Sequence, residues 1–195
     1  MHFPVAEDTD TDAMFQIYRS KFGQEIDKYR EYSTKQLNFM WLRDRVWLVK
    51  QLIADFGPEE AQKKLEVLID KKAEEIGTRY RQWGKEAGIT NPILIAMHGY
   101  RLDWPWIEKS WWHVYYPDEV NPKEAEWRLV CHIGDFWKEQ PVEMRKYGIA
   151  FCDVDVKLVR HIDPRLTLER PQTQYSVDGS KRSCEYCKFV MRIND

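Results

Sequence analysis

The sequence predicts an α+β protein, with N-terminal helices packed with a C-terminal antiparallel sheet in a single domain spanning 1–195. Three observations predict it. Apolar residues recur at steps of three and four through residues 1–90, the period of a helix with one buried face. In the aromatic-rich part, 91–195, the period falls to two between Ala125 and Ile133, as in a half-buried strand. Arg165 to Val177 and Tyr186 to Ile193 then flank Asp178-Gly179, a dipeptide suited to a hairpin turn.

Three helices are expected in the first part. Asp10 or Asp12 can cap a segment reaching about Tyr32, with Met14, Ile17, Tyr18 and Phe22 on one face. A second starts near Ser33 or Thr34, carries Leu37, Met40, Trp41, Leu48 and Leu52, and stops at Gly57. Pro58 then opens the third, since its missing N–H costs nothing in a first helical turn. Ala61, Leu65, Leu68, Ile69, Ala73, Ile76, Tyr80, Trp83 and Ala87 line that helix, and Gly88 ends it. The charge runs Glu59-Glu60 and Lys71-Lys72 read as solvated faces.

Strands follow. Ser110 to Tyr116 is rich in aromatic residues, which pack well on a pleated surface. After the Asn121-Pro122 turn, Ala125, Trp127, Leu129, Cys131 and Ile133 alternate with Glu124, Glu126, Arg128 and His132. Gly134 ends this strand and Asp135 caps a short helix that breaks at Pro141. The apolar positions Val156, Val159 and Ile162 predict a further helix beginning at Asp153. In the last pair, the apolar phase moves from even positions (Leu166, Leu168) to odd ones (Tyr175, Val177) around Pro171, which predicts a bulge or a sheet edge.

Composition narrows the function classes. Apolar residues make up 43% and charged residues 32%, the balance of a folded globular chain. The formal charge is -2, which leaves no basic footprint for a phosphate backbone, so a nucleic-acid partner is not expected. The longest apolar run, Ile93-Leu94-Ile95-Ala96-Met97, is far too short for a membrane span. An acidic start without a signal-peptide pattern points to the cytoplasm, where the four cysteines are expected as thiols. Trp41, Trp47 and Trp83 are apolar anchors that can serve a homodimer face or the interior.

Candidate chemistry lies at three places. Cys131 and His132 alternate across a strand, so they cannot pair directly; each is either a sheet-face residue or part of a site. Cys152 is expected at a helix N-terminus, where unpaired N–H groups favour the thiolate, with Asp155 on the same side of the first turn. A thiolate beside a carboxylate is a nucleophile with a proton-handling partner; the bland reading is a buried Cys beside an N-capping Asp153 or Asp155. Cys184 and Cys187 form a lone CxxC, half a zinc site, which Cys131 and Cys152 would have to complete. That zinc set is a minority reading, and no cofactor is expected. Phosphate-binding glycine loops, GxSxG elbows and HExxH helices are absent from the sequence.

From about Glu126 to the end, the chain resembles the family of L-2-amino-thiazoline-4-carboxylic acid hydrolases. The resemblance rests on Cys131 with Asp135, then Cys152-Asp153-Val154-Asp155, then Pro164-Arg165-Leu166, Arg170, and Gly179 leading to Cys187-Lys188-Phe189. The final turn and Cys-x-Phe are also similar to ligand-binding domains of the four-vinyl-reductase type, which have helices packed on an antiparallel sheet. The stretch between Gly179 and Cys187 is longer than the family pattern, and Cys184 competes for the place of Cys187, which Phe189 favours. The resemblance implies hydrolysis of a cyclic amidine carbon to give a carbamoylated cysteine. Cys152, Asp155 and His132 would be catalytic, and Arg170, Trp127, Cys131 and Cys187 would contact the substrate.

Two other classes stay open. One is a binding or sensor module whose aromatic side chains hold a small ligand; the other is a lyase or isomerase acting on a different ring.

Overall fold

The computed structural model describes residues 34–103, 111–130, 132–173 and 186–195, with the backbone alone at 34–41, 111–113, 130, 132 and 135. The segment expected between Asp10 and Tyr32 and the Asp178-Gly179 turn lie outside the described residues.

The second and third predicted helices form α1 (Thr34–Ala87), which is broken at Gly57. Gly57 has φ 75° and ψ 165°, a region open in practice to glycine alone. The break folds the helix back on itself. Pro58 lies beside Tyr147, whose hydroxyl donates to the Pro58 carbonyl at 3.0 Å. Arg45 lies one turn further along the same partner helix, over the Phe151 ring. A straight helix would have carried residue 45 about 20 Å beyond Pro58 in the other direction. At the far end, Gly88 takes φ 77°, and the Gly88 and Ile89 amides donate to the Lys85 and Gly84 carbonyls, closing the last turn.

The apolar run at Ile93–Met97 proves to be part of a helix that the sequence reading left unassigned, α2 (Pro92–Asp103). Its start is well marked: Asn91 Oδ1 accepts from the Ile93 amide at 2.9 Å, and Pro92 occupies the first turn. Strands β1 (Trp111–Tyr115) and β2 (Glu124–Val130) follow. Then come α3 (His132–Lys138), α4 (Val142–Ile162), β3 (Leu166–Gln172) and β4 (Cys187–Ile193). The four strands form one antiparallel sheet in the order β1-β2-β4-β3. The α+β expectation is met.

One sheet face carries Val114, Ala125, Trp127, Leu166, Leu168, Phe189 and Met191, all buried. The other carries ion pairs between strands, with Glu126 to Lys188 at 2.8 Å and Arg192 to Glu124 at 2.7 Å. Trp127 stacks on its strand partner Phe189, with centroids 5.2 Å apart. Tyr100 meets Trp127 at 6.2 Å and Tyr80 at 6.0 Å, and Tyr80 stacks on Trp83 at 5.7 Å. This aromatic column joins α1 through α2 to the sheet. Trp83 is therefore internal, whereas Trp47 is 63% exposed; the Trp41 side chain lies outside the described residues.

Helices α1 and α4 cross closely because Gly77 has no side chain. A Cβ there would stand 2.3 Å from the Leu158 carbonyl oxygen. No described helix is long and apolar enough to cross a membrane.

Two expectations are corrected. The strand predicted to reach Ile133 ends at Val130, and His132 opens α3 without waiting for Asp135. The helix predicted to begin at Asp153 begins at Val142, after Pro141. Its early turns bury Tyr147, Gly148, Ala150 and Phe151, an apolar face that continues through Val154 and Leu158.

Candidate functional site

Cys152 consequently lies in the middle of α4, where every neighbouring amide is already used by the helix. No helix N-terminus is therefore at hand to favour the Cys152 thiolate. Burial pushes the Cys152 thiol up to about 12, with Asp155 and Cys187 adding to the rise and Arg170 and Arg45 opposing it. At neutral pH it is a protonated thiol.

Asp155 does lie on the same side of α4 as Cys152, one turn on. Both residues keep some exposed surface, but their titrating groups are enclosed. Burial, helped by a smaller push from Asp153 and opposed by the fields of Arg170 and Arg45, raises the Asp155 carboxyl to about 7. Its backbone carbonyl accepts from the Tyr100 hydroxyl at 3.0 Å, which ties this turn of α4 to α2 and the aromatic column.

Arg170 enters from β3. Glu169 pairs with Val190 and Gln172 with Lys188, so β3 spends one residue more than β4 over this stretch. The bulge expected around Pro171 is therefore present, at Arg170-Pro171. It stands where Arg170 turns inward, in phase with Leu166 and Leu168. The Arg170 side chain is only 9% exposed, and its Nη2 donates to Asp153 Oδ1 at 2.6 Å. Its Nη1 is buried with no hydrogen-bond partner among the described residues. Burial works against the Arg170 charge, but Cys152, Asp153, Asp155 and Cys187 outweigh it and leave the pKa raised.

Arg45 is the member that the sequence reading missed. It comes from the folded-back half of α1, with its guanidinium 4.5 Å from the centre of the Phe151 ring. Burial lowers its pKa to about 9, while Cys152 and Asp155 support the charge. The signal was present: Arg45 stands three and four residues from Leu42, Leu48 and Val49, on the apolar stripe of its helix.

The structure thus gathers Arg45 from α1, Cys152, Asp153 and Asp155 from α4, Arg170 from β3 and Cys187 from β4. Cys152 and Cys187 both carry thiols. Trp127 is 4% exposed and stacked in the core between Tyr100 and Phe189. Cys131, Cys184 and the His132 side chain lie outside the described residues. Among the described residues no group of three or more His, Cys, Asp or Glu side chains is placed to hold a metal ion. The arrangement offers a proton donor or acceptor working near neutrality and two fixed cations. Comparisons with protein-family models, with curated proteins and with solved structures find no match to this chain.

Proposed function

We propose that the chain is a small-molecule hydrolase that opens a cyclic amidine ring by water addition, with Asp155 as its proton-transfer group. One observation carries the reading: an enclosed carboxyl, brought to about 7, stands in the field of two guanidinium groups. A general acid–base works best when its pKa lies near the ambient pH. The resemblance to L-2-amino-thiazoline-4-carboxylic acid hydrolases supplies the substrate class.

On this reading Arg170 faces the substrate carboxylate, using the Nη1 donor that no group among the described residues occupies. Water adds to C2 of the thiazoline and gives a proton to Asp155. Asp155 passes that proton to the ring nitrogen. The ring C2–S or C2–N bond then breaks as the proton of the new C2 hydroxyl passes through Asp155 to the leaving sulfur or nitrogen, and C2 becomes the carbonyl. The product is a carbamoylated cysteine, heavier than the substrate by one water. Water is preferred to Cys152 as the nucleophile because the thiol stays protonated.

A second reading is a binding module without chemistry, and the same protonated thiol favours it. Mass spectrometry after incubation with L-2-amino-thiazoline-4-carboxylate separates the two. A gain of one water, retained in Cys152→Ala and lost in Asp155→Asn, is the expected result. An unchanged substrate would rule out hydrolysis of this ring and leave the binding module.

A further inference from the structure

The part of α4 that carries Asp155 is held to α1 and to α2 by contacts of different kinds. On the α1 side backbone meets backbone: Gly77 lies so near the Leu158 carbonyl oxygen that a Cβ there would stand 2.3 Å away. On the α2 side a polar bond does the holding. The Tyr100 hydroxyl donates to the Asp155 backbone carbonyl at 3.0 Å.

That bond is not needed to satisfy the carbonyl. Inside a helix each carbonyl already accepts from the amide four residues on, and Asp155 lies well within α4. The hydroxyl uses the second lone pair. What the bond fixes is the stand of α4 against α2, at the residue that bears the enclosed carboxyl.

Tyr100 is itself firmly seated. It is 4% exposed, with Tyr80 edge-on to its ring at 6.0 Å and Trp127 tilted against it at 6.2 Å. Its neighbour Gly99 lets Tyr80 come close, since a Cβ at Gly99 would stand 2.3 Å from the Tyr80 ring. Trp127 in turn stacks on Phe189 in the sheet. The donor thus sits on an anchored ring, not on a free side chain.

We propose that Tyr100 is a positioning residue for Asp155: its hydroxyl holds this turn of α4 against α2 and keeps the carboxyl enclosed. Its bearing on turnover rests on the hydrolase reading, whereas enclosure of the carboxyl is measured without a substrate. The groups that act with Asp155 come from α1 (Arg45 and Tyr80), α2 (Tyr100), α4 (Cys152 and Asp153) and β3 (Arg170). From β4, Cys187 acts on Cys152 and Arg170.

Tyr100→Phe keeps the ring and removes the bond, and it leaves every charged member of that set in place. Without the tether the turn admits water to the carboxyl, and burial is the chief reason its pKa is raised. The Asp155 midpoint, read from its carboxyl carbon shift in a pH titration, should fall by about half a pH unit, roughly threefold in proton affinity. Tyr147→Phe is the matched control. It also removes a hydroxyl-to-carbonyl bond made across α4, the one to Pro58 at 3.0 Å, about two turns before Asp155. It should lower the thermal melt to a similar degree and leave the Asp155 midpoint in place.

An unmoved or raised midpoint in folded Tyr100→Phe, or an equal fall in both variants, would overturn the proposal. With 2-amino-thiazoline-4-carboxylate, kcat of Tyr100→Phe should fall about threefold at unchanged KM. Absence of turnover by the unaltered chain would remove the hydrolase reading alone, and the titration would still decide the role of Tyr100.

Discussion

Arg170 Nη2 meets Asp153 Oδ1 at 2.6 Å across the junction of sheet and helix, and this one bond joins the buried side of the cluster to its exposed side. Asp153 also contributes to the high pKa of Asp155. Asp153→Asn removes that repulsion and leaves both Arg170 nitrogens available. The Asp155 midpoint should then fall below about 7, as read from its carboxyl carbon shift in a pH titration. A midpoint that stays in place would show that the two carboxyl groups are not coupled. Because Arg170 is only 9% exposed, loss of its anionic partner should cost more than the ~1 kcal/mol of an exposed pair.

Asp155 should make stability depend on pH in an unusual direction for an acid. Its folded pKa of about 7 lies above the unfolded value of about 3.9. Between those values the native state holds the extra proton, so stability from this group falls as pH rises from about 4 to about 7 and then levels. Asp155→Asn should therefore be more stable than the unaltered chain at pH 8, by on the order of 2 kcal/mol. That advantage should shrink as pH falls through about 7. Urea denaturation at pH 5 and pH 8 checks the sign.

Cys152 should resist alkylation. With its thiol near 12, iodoacetamide at pH 8 should modify it at least about a hundredfold more slowly than an unstructured cysteine. Peptide mapping over time measures this directly. Rapid labelling of Cys152 would return the thiolate to consideration as the nucleophile.

Two glycines should be intolerant for different reasons. Gly57→Ala has open space around the new methyl but a backbone angle that alanine avoids, so it should cost about 1–3 kcal/mol. Gly77→Ala has ordinary helical geometry but would drive a Cβ against Leu158 and His161, and should cost about 1–3 kcal/mol through overpacking. Urea midpoints measure both.

The break at Gly57-Pro58, the stop at Gly88, the final strand pair and the bulge near Pro171 were all legible because each rests on local chemistry: a backbone angle, a missing N–H, a period. The start of α4 was not. Glu143, Arg145 and Lys146 hide the apolar spacing of Tyr147, Phe151 and Val154, and this misplaced Cys152 at a helix end. Helix α2 was passed over because a continuous apolar run has no face to read. Asp155 and Arg170 were legible as candidates by residue type and position. Arg45 was not paired with them, because its nearness depends on the chain reversal and not on any spacing within the helix. Strand alternation fixed that Trp127 pointed inward, where it meets Tyr100 and Phe189.

The bulge at Arg170-Pro171 has a second consequence. Strand β3 lies at one edge of the sheet, where a row of unsatisfied backbone groups can recruit a strand from another copy and seed aggregation. Proline has no N–H to offer such a strand, and the extra residue throws the outer register out of step. The kink beside the buried guanidinium also makes this edge a poor template for self-assembly.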